Sequence, residues 1–436
     1  MAFLQDRDRQ ILRLALPSIV SNITVPLLGL VDVAIVGHMG SAAYIGAISV
    51  GSMVFNVIYW VFGFLRMGTS GMTAQALGRR DLCGVCQMLV RSVAVALAVA
   101  LVLVVFQVPI CRLAMAVVAP EAEIVQLASS YFSICVWGAP AVLVLYGLSG
   151  WFVGMQNTRL PMVVAIAQNV VNIAASLVLV YGLGMKVEGV ATGTLIAQYA
   201  GAAMALALWW RYYRRLQRHM KWVGVLDADK MLRFFKVNSD IFLRTLCLVA
   251  VNFFFLSAGA RQGNVILAVN TLLMQFYILF SYFLDGFAFA GEALCGKEMG
   301  AANNRAFRQV VGRIFQWGGV MAVIFTLVYA IGGQWFTQLL TDDSKVVEAA
   351  AEYLPWVVAV PLAGVAAFVW DGVFVGITAT RGMLLASAAA TVVFFALYLG
   401  WRASMGNHAL WMAFMAYMAV RGGVQTAIYW KCHKKW

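Results

Sequence analysis

Long hydrophobic runs alternate with short polar turns along the whole chain. Most of these runs reach the roughly 20 residues that a helix needs to cross a hydrocarbon layer of about 30 Å. The short alternating segments of a transmembrane β-barrel are absent from the pattern. Together these features predict an all-α polytopic membrane protein. Twelve spans are predicted at 12–37, 43–77, 88–112, 124–155, 160–183, 188–211, 234–259, 264–297, 308–333, 348–377, 381–401 and 408–430.

Composition excludes most other classes of protein. Of 436 residues, 63% are hydrophobic and 11% are charged, which leaves too little polar surface to cover a soluble core. The net charge of +13 does not predict nucleic-acid binding, because the lysines and arginines lie at span ends and in short loops. No motif for an enzyme, a cofactor or a metal site is present, since the C-x-x-C at Cys83 and Cys86 has no second pair or nearby histidines.

The distribution of basic residues predicts the topology. They cluster before the first span, after every second span, in the segment 211–236 and at the end of the chain, whereas the opposite span ends carry few. By the positive-inside rule, both termini and the middle segment are expected in the cytoplasm. We therefore expect a monomeric multi-pass protein of the bacterial inner membrane.

An internal repeat divides the chain. The sequence G-W-F-V-G-M-Q-N-T-R at 150–159 recurs as G-V-F-V-G-I-T-A-T-R at 372–381, an offset of 222 residues. This offset predicts an N-terminal six-helix bundle (1–210), a cytoplasmic basic linker (211–233) and a C-terminal six-helix bundle (234–436). Because six is even, the two halves are parallel, an arrangement typical of transporters with a midplane site, with a channel as the alternative.

Asp32 is the leading candidate for a functional residue. It lies in the first apolar run, where an ionised carboxylate costs at least a few kcal/mol and usually lines a cavity or carries protons or ions. A structural carboxylate bonded between helices is the alternative. Asn169, Asn172 and Ser176 on the fifth span and Thr194 on the sixth lie at comparable depth, and Asn172 and Ser176 share one helix face. These groups predict either a hydrogen-bonded acid or an oxygen-rich pocket for Na⁺, although Thr194 could simply bond its own backbone.

Other charged residues fall inside the predicted spans, mainly in the C-terminal half. The acids are Asp240, Asp285, Glu292 and Asp371, and the basic residues are Arg66 and Arg244. The four-residue spacing of Asp240 and Arg244 allows an intrahelical ion pair. Near the cytoplasmic ends we expect either an inner gate or, with preference, a salt-bridge network. Asp285 lies nearer mid-span and either lines the cavity or packs between helices.

Several motifs resemble those of the MATE family of multidrug and toxic-compound extrusion antiporters. They are P-L-L-G-L-V-D-V-A-I-V-G-H-M-G at 26–40 and the repeated G-x-F-V-G-x-x-x-T-R. Q-A-L-G-R-R-D at 75–81 and L-D-G-F-A-F-A-G-E-A-L-C-G-K-E-M-G-A at 284–301 resemble its DinF-like branch. The resemblance covers essentially the whole chain. It implies a V-shaped pair of bundles that exports amphipathic, often cationic compounds in exchange for H⁺ or Na⁺.

The resemblance also assigns roles to residues. The first-helix acid of the family matches Asp32, its fifth-helix asparagine matches Asn172 and a sixth-helix threonine matches Thr194. Where other members carry a second acid one turn after that asparagine, this chain has Ser176, which suits one proton per cycle and leaves the ion and stoichiometry open. A coupling acid that some members carry in the C-terminal half is matched most nearly by Asp371.

These observations predict a secondary antiporter coupled to H⁺ through Asp32, with no cofactor beyond the coupling ion. Protonation is expected to loosen bonds from Asp32 to Asn172 and to let the first helix bend at Pro26. The alternatives are Na⁺ coupling at Asp32, Asn172 and Ser176, a lipid-linked precursor flippase, and a channel or receptor. The flippase is disfavoured on the ground that Arg66 and Arg244 are the only basic residues counted inside the spans.

Overall fold

A computed structural model describes residues 6–37 and 42–432, without the side chains of residues 25–30, 33, 36, 37, 42 and 432. The side chain of Pro26, the predicted bending point, and residues 38–40 of the first-span motif therefore lie outside the described part. Within it the chain is helical throughout, without strands. The helices are α1 (Asp6–Gly37), α2 (Ala42–Phe62), α3 (Phe64–Gly78), α4 (Leu82–Val105), α5 (Gln107–Val118), α6 (Ala122–Cys135), α7 (Ala139–Gly154), α8 (Arg159–Leu177), α9 (Val187–Tyr213), α10 (Ala228–Ala260), α11 (Asn264–Gly300), α12 (Asn304–Leu340), α13 (Ser344–Gly376), α14 (Thr380–Met405) and α15 (Asn407–Cys432).

The helices reproduce the predicted spans. In the described residues, 10 helical stretches are long and apolar enough to cross a membrane. Helices α1 and α15, with 32 and 26 residues, coincide with the two remaining predicted spans. Some predicted spans consist of two helices, such as α2 with α3, or α6 with α7 across a short 3₁₀ turn at Val136–Gly138. The prediction of an all-α polytopic membrane protein is confirmed.

The turns of the two halves repeat the same backbone geometry at the offset of 222 residues. Arg80 and Ala302 both have a positive φ, of 60° and 53°, immediately before a helix begins. Asp81 and Asn303, one residue further on, both cap that helix with a side-chain oxygen that accepts a backbone N–H. A conformation that L-residues rarely adopt therefore recurs at equivalent places, which confirms the internal repeat on structural grounds.

Close helix crossings also recur at this offset. A Cβ atom added to Gly150 on α7 would lie 2.2 Å from the carbonyl oxygen of Arg66 on α3. A Cβ atom added to Gly372 on α13 would lie 2.3 Å from the carbonyl oxygen of Ala288 on α11. In each half, only a residue without a side chain allows these two helix backbones to approach so closely.

Contacts between helices group the chain into two units. The N-terminal unit is Val20–Phe234, and the C-terminal unit consists of the described parts of Met1–Ile19 and Phe235–Trp436. The start of α1 thus packs with the helices of the C-terminal half, and the start of α10 packs with those of the N-terminal half. The division at 1–210, 211–233 and 234–436 stays a prediction about sequence halves.

The basic segment between the halves is held along α4 and is not a free tether. Gln87 donates from Nε2 to the backbone carbonyl of Lys221 at 2.9 Å. Arg91 donates from Nε and Nη2 to the carbonyl of Val225 at 3.0 and 2.8 Å. The carbonyl groups of Lys221 and Val225 lie outside any helix, and these side chains supply the hydrogen bonds that they would otherwise lack.

Candidate ion-coupling site

Asp32 is buried on α1, with 6% of its surface exposed. Its Oδ1 atom has no hydrogen-bond partner in the described part of the chain. The Tyr131 hydroxyl and the Cys135 thiol of α6 lie within electrostatic range of the carboxyl group. Asp32 therefore sits among neutral groups, and no salt bridge compensates its charge within the described residues.

Asn172 and Ser176 are fully buried on α8. Asn172 donates from Nδ2 to Oγ1 of Thr194 at 3.0 Å, which joins α8 to α9. The described residues contain no hydrogen bond between Asp32 and Asn172, although Thr194 uses only one of the two N–H donors of the Asn172 amide. Among the described residues, Oδ1 of Asn172 and Oγ of Ser176 have no hydrogen-bond partner, so each can still accept a bond.

Sequence reasoning missed Gly193, which shapes this region. A Cβ atom at Gly193 would lie 2.4 Å from Oγ of Ser176 and 2.9 Å from its backbone nitrogen. The backbone of α9 therefore passes directly against Ser176. A glycine one residue before Thr194 inside a membrane span was the available signal, because small residues mark places where membrane helices pack closely.

Two hydrogen bonds fix the register of α1 against α8. Asn169 donates from Nδ2 to the carbonyl of Thr24 at 2.8 Å. A short π-helical segment, Val178–Gly182, follows α8 directly. In this segment Tyr181 donates its hydroxyl to the carbonyl of Ile35 at 3.0 Å. The two segments therefore run parallel over this length.

This register places Asp32 and Ser176 at nearly the same depth. Asp32 comes eight residues after Thr24, and Ser176 comes seven residues after Asn169. At about 1.5 Å of rise per residue, both lie roughly 10–12 Å beyond the first contact. Asn172 lies about one turn back from that level. Oxygen atoms of three side chains thus share one stretch of the N-terminal unit.

Asp371 is the centre of a buried polar network in the C-terminal unit. Arg244 of α10 donates to Oδ2 of Asp371, and Gln425 of α15 donates to Oδ1 at 2.8 Å. Arg421, also on α15, brings its Nη2 atom to 3.5 Å from Oδ2. The guanidinium of Arg421 also lies 5.5 Å from the ring centre of Phe368. Of the residues expected in a salt-bridge network, Arg244 and Asp371 therefore form one, together with Arg421 and Gln425, which were not foreseen.

Arg421 and Gln425 were missed because the sequence count of basic residues inside spans stopped at Arg66 and Arg244. That count was wrong: Arg421 lies inside the last span and has 1% of its surface exposed. Arg421 and Gln425 are four residues apart in an otherwise apolar run, so they share one helix face, and this spacing could have predicted a buried polar pair.

The intrahelical pair that the spacing of Asp240 and Arg244 allows is not formed. Asp240 instead accepts from Oγ1 of Thr380 at 3.0 Å and lies 3.8 Å from Nη1 of Arg381. Thr380 is the first residue of α14, and the N-terminus of a helix attracts a carboxylate. Arg244 turns to Asp371, so the two side chains join α10 to different helices.

The remaining predicted residues are placed as follows. Asp285 is half-buried on α11, within electrostatic range of Tyr277, which also lies within range of Arg244 and Arg421.

Glu292 is buried further along α11. Arg66 is half-buried on α3, within electrostatic range of Tyr146.

A duplicated set of membrane spans with a buried polar cluster in each half places this chain among the multi-pass membrane transporters. The family can be stated as well. The MatE family model matches residues 17–178 and 241–398, once in each half, and the chain belongs to this family.

Relatives and solved structures agree. The chain is 35% identical to DNA damage-inducible protein F of Escherichia coli (strain K12) over 435 residues, which is 99% of this chain and 94% of that protein. It is 20% identical over 349 residues to Multidrug export protein MepA of Staphylococcus aureus (strain MSSA476), covering 78% of this chain and 75% of that protein. Among solved structures, the outward-facing conformation of a multidrug resistance MATE family transporter of the MOP superfamily superposes with a TM-score of 0.88 at 18% identity, covering 99% of this chain and 98% of that one. The MATE resemblance read from the sequence is confirmed.

Proposed function

We propose that this protein is a monomeric antiporter of the bacterial inner membrane, with both termini in the cytoplasm. It exports amphipathic, often cationic compounds in exchange for protons carried by Asp32. Membership of the MatE family supports export, and a relative is named as a multidrug export protein. The observation that carries the proton step is the buried Asp32 carboxyl group with an unpartnered oxygen.

The physical reason lies in the cost of an isolated buried charge. An ionised carboxylate without a partner is expensive in an apolar environment, and protonation removes that cost. When Asp32 is protonated, it gains an O–H donor, and Oγ of Ser176 at the same depth is an acceptor without a partner among the described residues. Release of the proton restores the negative charge of Asp32 and removes the O–H donor. The protonation state of Asp32 therefore alters how α1 packs against α8. This couples protonation to the shape of the N-terminal unit.

A specific observation keeps Na⁺ as the second candidate ion. Oδ1 of Asp32, Oδ1 of Asn172 and Oγ of Ser176 all lack partners within the described residues. Carboxylate, amide and hydroxyl oxygens are the donors that hard cations prefer. In both cases the coupling ion is the only small cofactor that the proposal requires.

Flipping of a lipid-linked precursor is a weaker proposal than export, but the small number of basic residues inside the spans no longer counts against it. That number came from counting Arg66 and Arg244 alone inside the spans, and Arg421 is a further buried cation. Uphill export of a small cation distinguishes an exporter from a flippase, a channel and a receptor.

The test uses purified protein in liposomes with ethidium as the transported cation. An imposed proton gradient or Na⁺ gradient drives transport in wild type, in Asp32→Asn and in Asp342→Asn. Asp342 is an exposed acid outside the N-terminal unit and serves as the matched control. We expect transport driven by the proton gradient in wild type and control, and only the leak of empty liposomes in Asp32→Asn.

Each other outcome has a defined meaning. Transport driven by Na⁺ alone, and weakened by Ser176→Ala and Asn172→Ala, would replace the proton with Na⁺. Proton-driven transport that persists in Asp32→Asn would refute the assigned role of Asp32. Passive, non-concentrative flux would point to a channel.

A further inference from the structure

A basic cavity of about 160 Å³ lies in the N-terminal unit, between α3, α4 and the first turns of α10. Its charged lining consists of four cations and one acid: Arg79, Arg91, Lys230, Arg233 and Asp81. The cavity is separate from the polar region around Asp32 and is not used by the proposed transport mechanism. Its unbalanced charge requires an explanation.

The one acid in the lining is already engaged. Asp81 accepts the backbone N–H of Gly84 at 2.8 Å and so caps α4. Arg91 is 3% exposed and is held by two bonds to a single backbone carbonyl, which leaves its Nη1 atom without a hydrogen-bond partner among the described residues. Partial burial, together with the nearby guanidinium of Arg233, lowers the pKa of Arg79. Asp227 lies within electrostatic range of Arg91 but outside the lining.

The equivalent place in the C-terminal unit contains two carboxylates that pair with arginines. Arg313 lies there at 3.9 Å from Oδ2 of Asp8, and Asp8 also accepts from Nε1 of Trp317 at 3.1 Å. Glu298 pairs with Arg7 at 3.1 Å. Each of these carboxylates pairs with one arginine, and the cavity beside them is lined by Arg7, Arg308 and Arg313.

Both carboxylates are replaced in the N-terminal unit. At the offset of 222 residues, the counterparts of Arg313, Asp8 and Glu298 are Arg91, Lys230 and Ala76. The arginine is kept, one acid has become a lysine and the other an alanine. The cavity of the N-terminal unit therefore lacks the two carboxylates that its counterpart in the C-terminal unit contains.

The segment beside the cavity carries exposed apolar side chains. Trp222, Val223 and Leu226 are 74%, 91% and 70% exposed. They lie on the stretch whose carbonyls bond to Gln87 and Arg91. Tryptophan and aliphatic side chains beside a cluster of cations are typical of the headgroup level of a membrane.

We propose that this cavity binds the phosphate group of an anionic phospholipid headgroup. Guanidinium groups match the geometry of phosphate oxygens, and a lysine at the rim adds a compact charge. The exposed apolar side chains place acyl chains, and not free solution, next to the cavity. A bound lipid would then hold the middle segment and the start of α10 against α4.

The test is native mass spectrometry of the full-length protein in detergent, titrated with dioctanoyl phosphatidylglycerol or dioctanoyl phosphatidylcholine. The test variant is Lys230→Gln with Arg233→Gln, which leaves Arg91 and its structural bonds in place. The matched control is Arg215→Gln with Arg218→Gln, two exposed cations on the same segment but outside the cavity. Each cation near a membrane surface contributes about fivefold in binding, so the test variant should bind phosphatidylglycerol about 25-fold more weakly.

We expect wild type and control to bind phosphatidylglycerol in preference to phosphatidylcholine. The charge-conserving variant Lys230→Arg with Arg233→Lys should restore binding, and Arg79→Gln provides a second probe if the test variant does not fold. Equal weakening in the control variant, or equal binding of phosphatidylcholine, would overturn the proposal. Displacement of the lipid by inorganic phosphate at equal concentration would overturn the lipid as its occupant and assign the site to free phosphate.

Discussion

The buried network around Asp371 makes a quantitative prediction about two substitutions and the double variant that combines them. Asp371→Asn keeps the shape of the side chain but leaves Arg244 and Arg421 without the carboxylate that contacts both. At the 3.5 Å between Arg421 and Asp371, the gross attraction is about 5 kcal/mol at an effective dielectric constant of 20. Removing one partner of a buried pair typically costs a net 3–5 kcal/mol. We expect a loss of that size for Asp371→Asn.

Arg421→Met should cost much less, about 2 kcal/mol or below. It removes one buried cation and its contact with the ring of Phe368, but the pair between Arg244 and Asp371 stays intact. In the double variant the costs should not add, because Arg421→Met removes one of the charges that Asp371→Asn leaves unpaired.

The assay is thermal unfolding of the purified protein in detergent, followed by intrinsic fluorescence, with Asp342→Asn as the exposed-acid control. The expected order of melting temperatures is wild type and control, then Arg421→Met, then Asp371→Asn. Equal destabilisation by Arg421→Met and Asp371→Asn would refute the charge argument. An Asp371→Asn protein that melts like wild type but fails to export would instead make Asp371 a second coupling acid.

Two further predictions concern packing and hydrogen bonding. Gly372→Ala should destabilise the protein by at least 1–3 kcal/mol, because the new Cβ would meet the backbone of Ala288 at 2.3 Å, whereas Gly400→Ala, with open space around it, should not; melting curves in detergent compare the two. Asn270→Ala should cost about 1–3 kcal/mol, because it breaks a reciprocal pair of amide bonds of 2.8 and 3.0 Å with Asn407 and leaves that buried side chain unsatisfied. An unchanged melting temperature for Asn270→Ala would contradict this interpretation, and Asn407→Ala should cost less, because Asn270 then keeps the bond that it accepts from Nε1 of Trp411 at 3.0 Å.

The fold was accessible from the sequence because membrane spans obey a simple length and polarity rule. Each run of about 20 apolar residues must be helical in lipid, since every backbone polar group has to be satisfied within the segment. The repeated motif then showed which residues of the two halves correspond. Gly150 and Gly372 are such a pair, and each lies against the backbone of a neighbouring helix in its own half.

The polar contacts were less accessible, because the partner of a side chain depends on helix rotation and neighbours. The spacing of Asp240 and Arg244 allowed a pair on one helix, but the start of α14 at Thr380 and the carboxylate of Asp371 offered each residue a partner elsewhere. Asn172 was expected to bond Asp32 and bonds Thr194 instead. Depth along a span could be predicted from sequence, whereas the facing helix could not.

The boundaries between the two units fall inside helices and not inside loops. The chain passes from one unit to the other at Ile19–Val20 within α1 and at Phe234–Phe235 within α10. Near the first boundary Pro17 lacks the N–H that would complete the backbone ladder, and at the equivalent position in α10 the hydroxyl of Ser239 bonds back to the carbonyl of Phe235. Both features make a helix easier to bend at that point. Each of these two helices therefore has a locally weakened backbone ladder at the same position of the repeat, and we expect Pro17→Ala to stiffen α1 there.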